Sequence, residues 1–170
     1  MFDFSKVRIV EDFPKEGIKF YDITTLLNDA EEYRKAIDEM LAIARAENPD
    51  VIAALETRGF FFAPVIAYEL GMPFVPIRKK GKLPGATFSE SYELEYGTAE
   101  LEIHQGCMPQ QKRVLVIDDV LATGGSMLAA INLVQHFSPA YVSALFLMEL
   151  KALEGRKKLS EYTVNSLIQL

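Results

Sequence analysis

The chain has little with which to staple or anchor itself. It carries a single cysteine, Cys107, so no disulfide can close within it, which fits a reducing compartment. No apolar run approaches the roughly 20 residues that a membrane helix needs. The opening stretch, MFDFSKVRIVEDF, has charges throughout and lacks the apolar segment of a signal peptide. Positive charge is not in excess. The formal net charge is −6, which argues against a broad basic field for nucleic acid or an anionic membrane. Repeats, low-complexity tracts and linkers are missing too. By elimination, these gaps predict a soluble, cytoplasmic protein with no nucleic-acid or membrane partner. What remains is ordinary globular material, 170 residues of which 49% are hydrophobic, enough for one compact core spanning residues 1–170.

Periodicity sets out the elements. From Ala30 to Glu47, the residues Tyr33, Ile37, Met40, Leu41 and Ala44 recur near a period of 3.6, and Asn48-Pro49 ends the run, which predicts a helix. Val51 to Leu55 is a short apolar run that reads as a buried strand. Gly59 to Leu70 is long enough for a helix, with Gly71 suited to its C-terminal cap. Further strands are predicted at Phe74 to Ile77, Val114 to Ile117 and Tyr141 to Met148, with a helix from Met127 to Phe137. Short apolar strands alternating with helices predict an α/β fold, a parallel sheet with helices on its faces. Two stretches break the rhythm: Asp12 to Leu27, and Lys79 to His104, a long loop passing into a hairpin. Loops of that length inside a compact domain are usually functional or disordered.

The most informative segment is VLVIDDVLATGGS, from Val114 to Ser126. Four apolar residues end in Asp118 and Asp119 at the carboxyl end of a strand, where open parallel sheets bind ligands. Adjacent carboxylates there can accept hydrogen bonds from the hydroxyls of a polyol. The following Ala122-Thr123-Gly124-Gly125-Ser126 suits a phosphate. Glycines allow close backbone approach, and the turn's N–H groups and the helix N-terminus supply donors and partial positive charge. Diol acceptors beside a phosphate cradle describe a ribose 5-phosphate. The plainer alternative is an Asp-rich turn before a capped helix. A Walker-type GK[ST] sequence and a GxGxxG dinucleotide loop are both missing. His104 and His136 lack partners at metal-ligand spacing.

This segment resembles the phosphoribosyl diphosphate signature of type I phosphoribosyltransferases. DFPKEGIKFYDITTLL (Asp12 to Leu27), ETRGFFFAP (Glu56 to Pro64), IRKKGKLPG (Ile77 to Gly85), SYELEYGTAELEIH (Ser91 to His104) and MELKALEGRKKL (Met148 to Leu159) resemble, in order, segments of the adenine phosphoribosyltransferases. The resemblance covers nearly the whole chain. It implies the type I phosphoribosyltransferase fold, a Rossmann-like, mainly parallel sheet flanked by helices. A small N-terminal hood would occupy residues 1–28, and residues 79–104 would form a flexible catalytic loop and hairpin. The implied activity is purine salvage. A 5-phosphoribosyl group passes from phosphoribosyl diphosphate to adenine through an oxocarbenium-like transition state, giving AMP and diphosphate. Mg²⁺ would travel with phosphoribosyl diphosphate and take no direct protein ligand, and the enzyme would be a homodimer.

Residue by residue, the resemblance assigns Asp118 and Asp119 to the ribose hydroxyls and Ala122, Thr123, Gly124, Gly125 and Ser126 to the 5-phosphate. Arg58 would hold the diphosphate, beside a non-proline cis peptide at Glu56–Thr57. The basic run Arg78, Lys79 and Lys82 would add diphosphate ligands, chiefly Lys79 and Lys82, the latter reaching a partner subunit. Glu93, Glu95, Glu100 and Glu102 lie close in sequence, so charge alone does not single out an acid or base. The match of LEYG selects Glu95, with Tyr96 beside it, and leaves the other three as solvent-facing strand positions. Phe20 would stack on the base, backbone groups at Lys19 and Tyr21 would read its edge, and Val120 would pack on its opposite face. One departure stands out: the family pattern has Arg where this chain has Tyr21. That leaves open another purine base (hypoxanthine, guanine or xanthine). A regulator that senses phosphoribosyl diphosphate is disfavoured, because the chain is acidic and has no room for a DNA-binding domain.

Overall fold

The computed structural model describes residues 2–93 and 97–170. It contains two compact units, Met1–Glu39 and Met40–Leu170. In the first, a 3₁₀ turn (Phe4–Lys6) leads to strand β1 (Arg8–Val10), which pairs antiparallel with β2 (Phe20–Asp22). Helix α1 (Thr24–Leu27) follows, and α2 (Ala30–Glu47) begins in this unit. Asp22 organises the turn into α1. Its carboxylate accepts from the Thr24 hydroxyl and backbone N–H and from the Arg8 guanidinium. Those bonds, the Thr24 hydroxyl foremost, hold its pKa down at about 2. Asp29 caps α2 by accepting the Glu32 N–H at 3.2 Å, which satisfies one of the donors orphaned at a helix start. The helix ends where Asn48 takes a positive φ of 49°.

The second unit is built on one sheet. Its strands are β3 (Val51–Leu55), β4 (Phe74–Lys79), β5 (Thr87–Glu93), β6 (Thr98–His104), β7 (Arg113–Leu121), β8 (Tyr141–Glu149) and β9 (Thr163–Gln169). Among the described residues they follow the order β5-β6-β4-β3-β7-β8-β9. The five from β4 to β9 in that order run parallel, while β6 joins β4, and β5 joins β6, antiparallel. The predicted long loop therefore becomes a hairpin that extends the sheet. Helices α3 (Ala63–Leu70), α4 (Gly125–Gln135) and the short α5 (Gly155–Lys158) complete the unit. Every residue of β3 is buried, as the apolar run VIAAL requires of a strand covered on both faces.

Three elements differ from the sequence reading. The helix predicted from Gly59 to Leu70 divides into a 3₁₀ turn (Arg58–Phe61) and α3. Pro64, in the first turn of α3, has no N–H to continue an α-helical ladder from the preceding residues. The strand predicted to stop at Ile117 runs on to Leu121, because β8 continues to offer backbone partners, with Asp118 opposite Phe146 and Leu121 opposite Glu149. Strand β9 was not anticipated; its sequence TVNSLIQ is half-buried at a sheet edge and carries little apolar signal. Among the described residues, no helix is long and apolar enough to cross a membrane.

The core centres on β7, where Leu115, Val116 and Ile117 are fully buried. Leu115→Ala should destabilise the protein by about 2–5 kcal/mol, the usual cost of such a truncation in a close-packed core. Urea unfolding should show that loss as a lower midpoint with an unchanged slope.

Candidate active site

The site grows from the carboxyl end of β7. Successive residues of a strand face opposite sides, so Asp118 and Asp119 diverge. Asp118 is half-buried and lines a cavity of about 200 Å³; Asp119 is only 2% exposed. Arg58 reaches this strand end from the turn after β3, with Nε 2.9 Å from Asp119 Oδ2. The contact is an ion pair without a directed hydrogen bond: Asp119 Oδ2 is buried and accepts none. Gly59 makes the approach possible, since a Cβ there would fall 2.7 Å from the Ile117 carbonyl oxygen.

Burial dominates the electrostatics. It pushes the Asp118 carboxyl well above the usual carboxylate range, and the neighbouring Asp119 charge adds to the effect. Asp119 is raised by the same burial, against which the Arg58 charge works. The pair therefore retains a proton more readily than free carboxyls would.

Beyond β7 the chain turns through Ala122–Gly124 into α4. Gly124 has φ 79°, a region that side-chain-bearing residues rarely adopt. The cavity is lined by Arg58, Asp118, Val120, Leu121, Ala122, Thr123, Gly124, Ser126, Met127 and Phe146. The lining therefore combines a carboxylate and a guanidinium with hydroxyls, a glycine turn and the amino end of a helix. Such a combination can accept from hydroxyl groups and donate to an anion. Sequence reasoning anticipated seven of these residues by number. Leu121, Met127 and Phe146 were not anticipated; Phe146 arrives through its register opposite Asp118, which no local pattern encodes. A Cβ on Gly125 would point toward the Glu93 carbonyl oxygen, 3.6 Å away, and the Tyr92 ring, 3.8 Å away. Burial, and then the Asp118 charge, push the Tyr92 phenol up, so Tyr92 stands within the field of the site.

The basic run is held by carboxylates. Arg78 Nε donates to Glu56 Oε2 at 2.8 Å, and its Nη1 donates to the Lys82 carbonyl at 3.2 Å. Glu56 also accepts the Lys79 N–H. Burial would raise the Glu56 carboxyl, but the bonds from Arg78 and Lys79 outweigh it and leave it below its usual range. Glu102 accepts the Gly81 N–H at 2.9 Å and is 7% exposed. That corrects the reading of Glu102 as a solvent-facing position: β6 lies between β4 and β5, and the side chain folds onto the 79–82 turn. Lys79 and Lys82 are exposed. The Glu56–Thr57 peptide is cis, as the resemblance implied.

In the first unit, Phe20 and Tyr21 lie half-buried in β2, and the Phe20 ring meets Phe13 edge-on at 5.1 Å. Lys19 is exposed, with Nζ 3.4 Å from Glu11. Glu95 and Tyr96 lie outside the described residues. The two histidines are accounted for locally: His104 Nε2 is 2.7 Å from the Pro84 carbonyl oxygen, and His136 stacks on Phe88 at 4.2 Å. No group of three or more His, Cys, Asp or Glu able to hold a metal occurs among the described residues.

A parallel sheet with carboxylates and a glycine turn at the carboxyl end of one central strand is the frame of the phosphoribosyl transferase domain, and that family matches residues 24–169. An adenine phosphoribosyltransferase of Desulfitobacterium hafniense is 49% identical over 98% of this chain and 97% of its own length. A crystal structure of adenine phosphoribosyltransferase from Thermoanaerobacter pseudethanolicus superposes with a TM-score of 0.94 at 47% identity, covering 98% of this chain and 96% of that one. The Saccharomyces cerevisiae enzyme, crystallised with an imino-altritol bisphosphate and adenine, superposes at 0.88 with 40% identity over 94% and 93% of the two chains. The chain belongs to the adenine phosphoribosyltransferase family.

The raised Asp118 carboxyl has a consequence for stability. An unfolded Asp titrates near 3.8, while the native Asp118 holds its proton to higher pH. Between those values the native state binds more protons than the unfolded state, so this group costs stability as pH rises above about 3.8. Asp118→Asn should therefore gain stability relative to the parent as pH rises from about 4 toward 7, and the difference should shrink in acid. Melting temperatures of both proteins across that range check this, and a pH-independent difference would contradict it.

Proposed function

We propose that this protein is an adenine phosphoribosyltransferase of purine salvage. It transfers the 5-phosphoribosyl group of phosphoribosyl diphosphate to adenine and releases AMP and diphosphate. The observation that carries the reading is the cavity onto which Asp118 and the Ala122–Gly124 turn both face, beside Ser126 and the amino end of α4. Relatives over almost the full length share the activity's name, and the yeast relative was crystallised with adenine.

In this reading Asp118 and Asp119 accept from the ribose hydroxyls, and Ala122, Thr123, Gly124, Gly125 and Ser126 cradle the 5-phosphate. Arg58, Lys79 and Lys82 neutralise the diphosphate as it leaves, and Arg78 contributes by bracing the turn that carries both lysines. The C1–diphosphate bond breaks with its electrons leaving on oxygen, and positive charge grows on the ribose ring. A ring nitrogen of adenine bonds to C1, and its proton passes to Glu95, with Tyr96 alongside. Phe20 stacks on the base, and backbone groups at Lys19 and Tyr21 read its edge.

The donor set suits a magnesium ion that arrives on its ligand. Mg²⁺ keeps several waters and binds through substrate phosphates with few or no protein groups. Diphosphate and ribose oxygens would hold it, with Asp118 and Asp119 behind the hydroxyls. When bound, it draws negative charge from the departing diphosphate. A homodimer, in which the exposed Lys82 enters the partner's site, and a cytoplasmic location, in keeping with the free Cys107, complete the reading.

Incubation with Mg²⁺, phosphoribosyl diphosphate and each of adenine, hypoxanthine, guanine and xanthine tests it. AMP should form from adenine, and the other bases should give little nucleotide. No AMP would end the reading. Asp119→Asn and Arg58→Ala should raise the KM for phosphoribosyl diphosphate by about tenfold or more, as expected for losing a charge-assisted bond. Glu95→Leu should lower kcat by about 10²-fold with little change in that KM, in line with the loss of a general acid or base. Unaltered turnover would show that another carboxylate takes the proton.

A further inference from the structure

The phosphate turn leans on a segment that does not line the cavity. Gly155, the first residue of α5, is buried, and its backbone meets the turn at closer than side-chain distance. A Cβ on Gly155 would fall 2.2 Å from the Ala122 carbonyl oxygen, and one on Gly124 would fall 2.5 Å from the Gly155 carbonyl oxygen. Two glycines therefore face each other, and the conformation of Ala122–Gly124 depends on where Gly155 stands.

Its neighbour fixes that position. Arg156 donates through Nε to Glu149 Oε1 at 2.9 Å and through Nη2 to Glu149 Oε2. Its Nη1 donates to the Val164 carbonyl on β9 at 2.7 Å. Ser166, also on β9, donates its hydroxyl to Glu149 Oε2 at 3.0 Å. Glu149 is 5% exposed. The Arg156 bonds foremost, with help from Ser166, outweigh burial and hold its carboxyl below the usual range, so it stays charged. A forked, two-bond pair of this kind fixes orientation as well as distance. Glu149 in turn ends β8 in register with Leu121, the last residue of β7, and the Leu150 N–H donates to the Leu121 carbonyl. The anchor and the turn thus start from the same rung of the sheet.

We propose that Glu149 and Arg156 are positioning residues for the 5-phosphate turn, acting through the Gly155–Gly124 backbone contact. The proposal rests on the assignment of that turn to the 5-phosphate. It requires that loosening the anchor weaken ligands bearing a 5-phosphate and spare ligands that do not. A merely structural pair would affect all ligands alike, or only the melting temperature.

The test is calorimetric titration of the intact protein with ribose 5-phosphate and, separately, with magnesium diphosphate. Arg156→Lys keeps the charge and loses the fork, Glu149→Gln keeps the shape and loses the charge, and Gly155→Ala strikes the turn directly. Each should raise the Kd for ribose 5-phosphate about tenfold, the equivalent of one charge-assisted hydrogen bond, with the diphosphate Kd changed less than about twofold on the same scale. An unchanged ribose 5-phosphate Kd in these variants, or equal weakening of both ligands, overturns the proposal. Should Arg156→Lys or Glu149→Gln not fold, Ser166→Ala removes a single donor to Glu149. It should give a smaller rise with the same selectivity, and no rise would overturn the proposal. If the parent protein itself fails to bind ribose 5-phosphate, the assignment of the turn is at fault, and that outcome is distinct from a variant that binds as well as the parent.

Discussion

Two carboxylates at the inner end of a central strand are the constraint around which this molecule is arranged. Burying charge is costly unless it is paired, and Asp119, 2% exposed, has Arg58 Nε 2.9 Å from its Oδ2. Bringing Arg58 there requires the turn after β3 to press against the end of β7, which only a glycine at position 59 allows. Asp118 is left facing the cavity with its carboxyl raised by burial and by its neighbour. A site poised in this way suits a polyhydroxy ligand whose hydroxyls supply the missing donors.

The rest of the second unit brackets that strand end. On one side, Glu56 and Glu102 convert a basic loop into a fixed turn by taking the N–H groups of Lys79 and Gly81. Their negative charge also keeps a cluster of cations from simply repelling itself apart. On the other side, the glycine turn of Ala122–Gly124 meets Gly155, and Glu149 and Arg156 lock the segment behind it. The 79–82 turn and the glycine turn are thus each backed by an ion pair, Glu56 with Arg78 and Glu149 with Arg156. Preorganised groups of this kind cost little reorganisation when charge develops on a ligand.

Family membership accounts for the chemistry these parts would perform, and the departure at Tyr21 has a local physical reading. Tyr21 lies in β2, opposite Ile9, with its ring 6.2 Å from that of Phe4. The position is built into a strand, so its backbone conformation is set by pairing and not by the side chain. A backbone-read base edge would tolerate the change from Arg to Tyr, and the match to an adenine phosphoribosyltransferase covers 98% of this chain.

Much of this was legible in the order of residues. Helix α2, the apolar strands and the Val114–Ser126 segment follow from periodicity and from residue types whose chemistry is local: glycine for a positive φ, carboxylates for hydroxyls, hydroxyls and a helix start for phosphate. Segment likeness extended this to Arg58 and to the cis peptide at Glu56–Thr57. What the sequence could not reveal depends on which strands become neighbours. The extension of β7 to Leu121 required β8 as a partner. The burial of Glu102 required the hairpin to add to β4. The contact between Gly124 and Gly155, thirty-one positions apart in number, required β7 and β8 to end in register. By itself, then, the sequence determined which carboxylates, hydroxyls and glycines stand together at the end of β7, because those residues are adjacent along the chain. Tertiary structure alone decided which distant charges hold the site in shape, because a buried ion pair is made by the packing of strands and leaves no periodic trace along the chain.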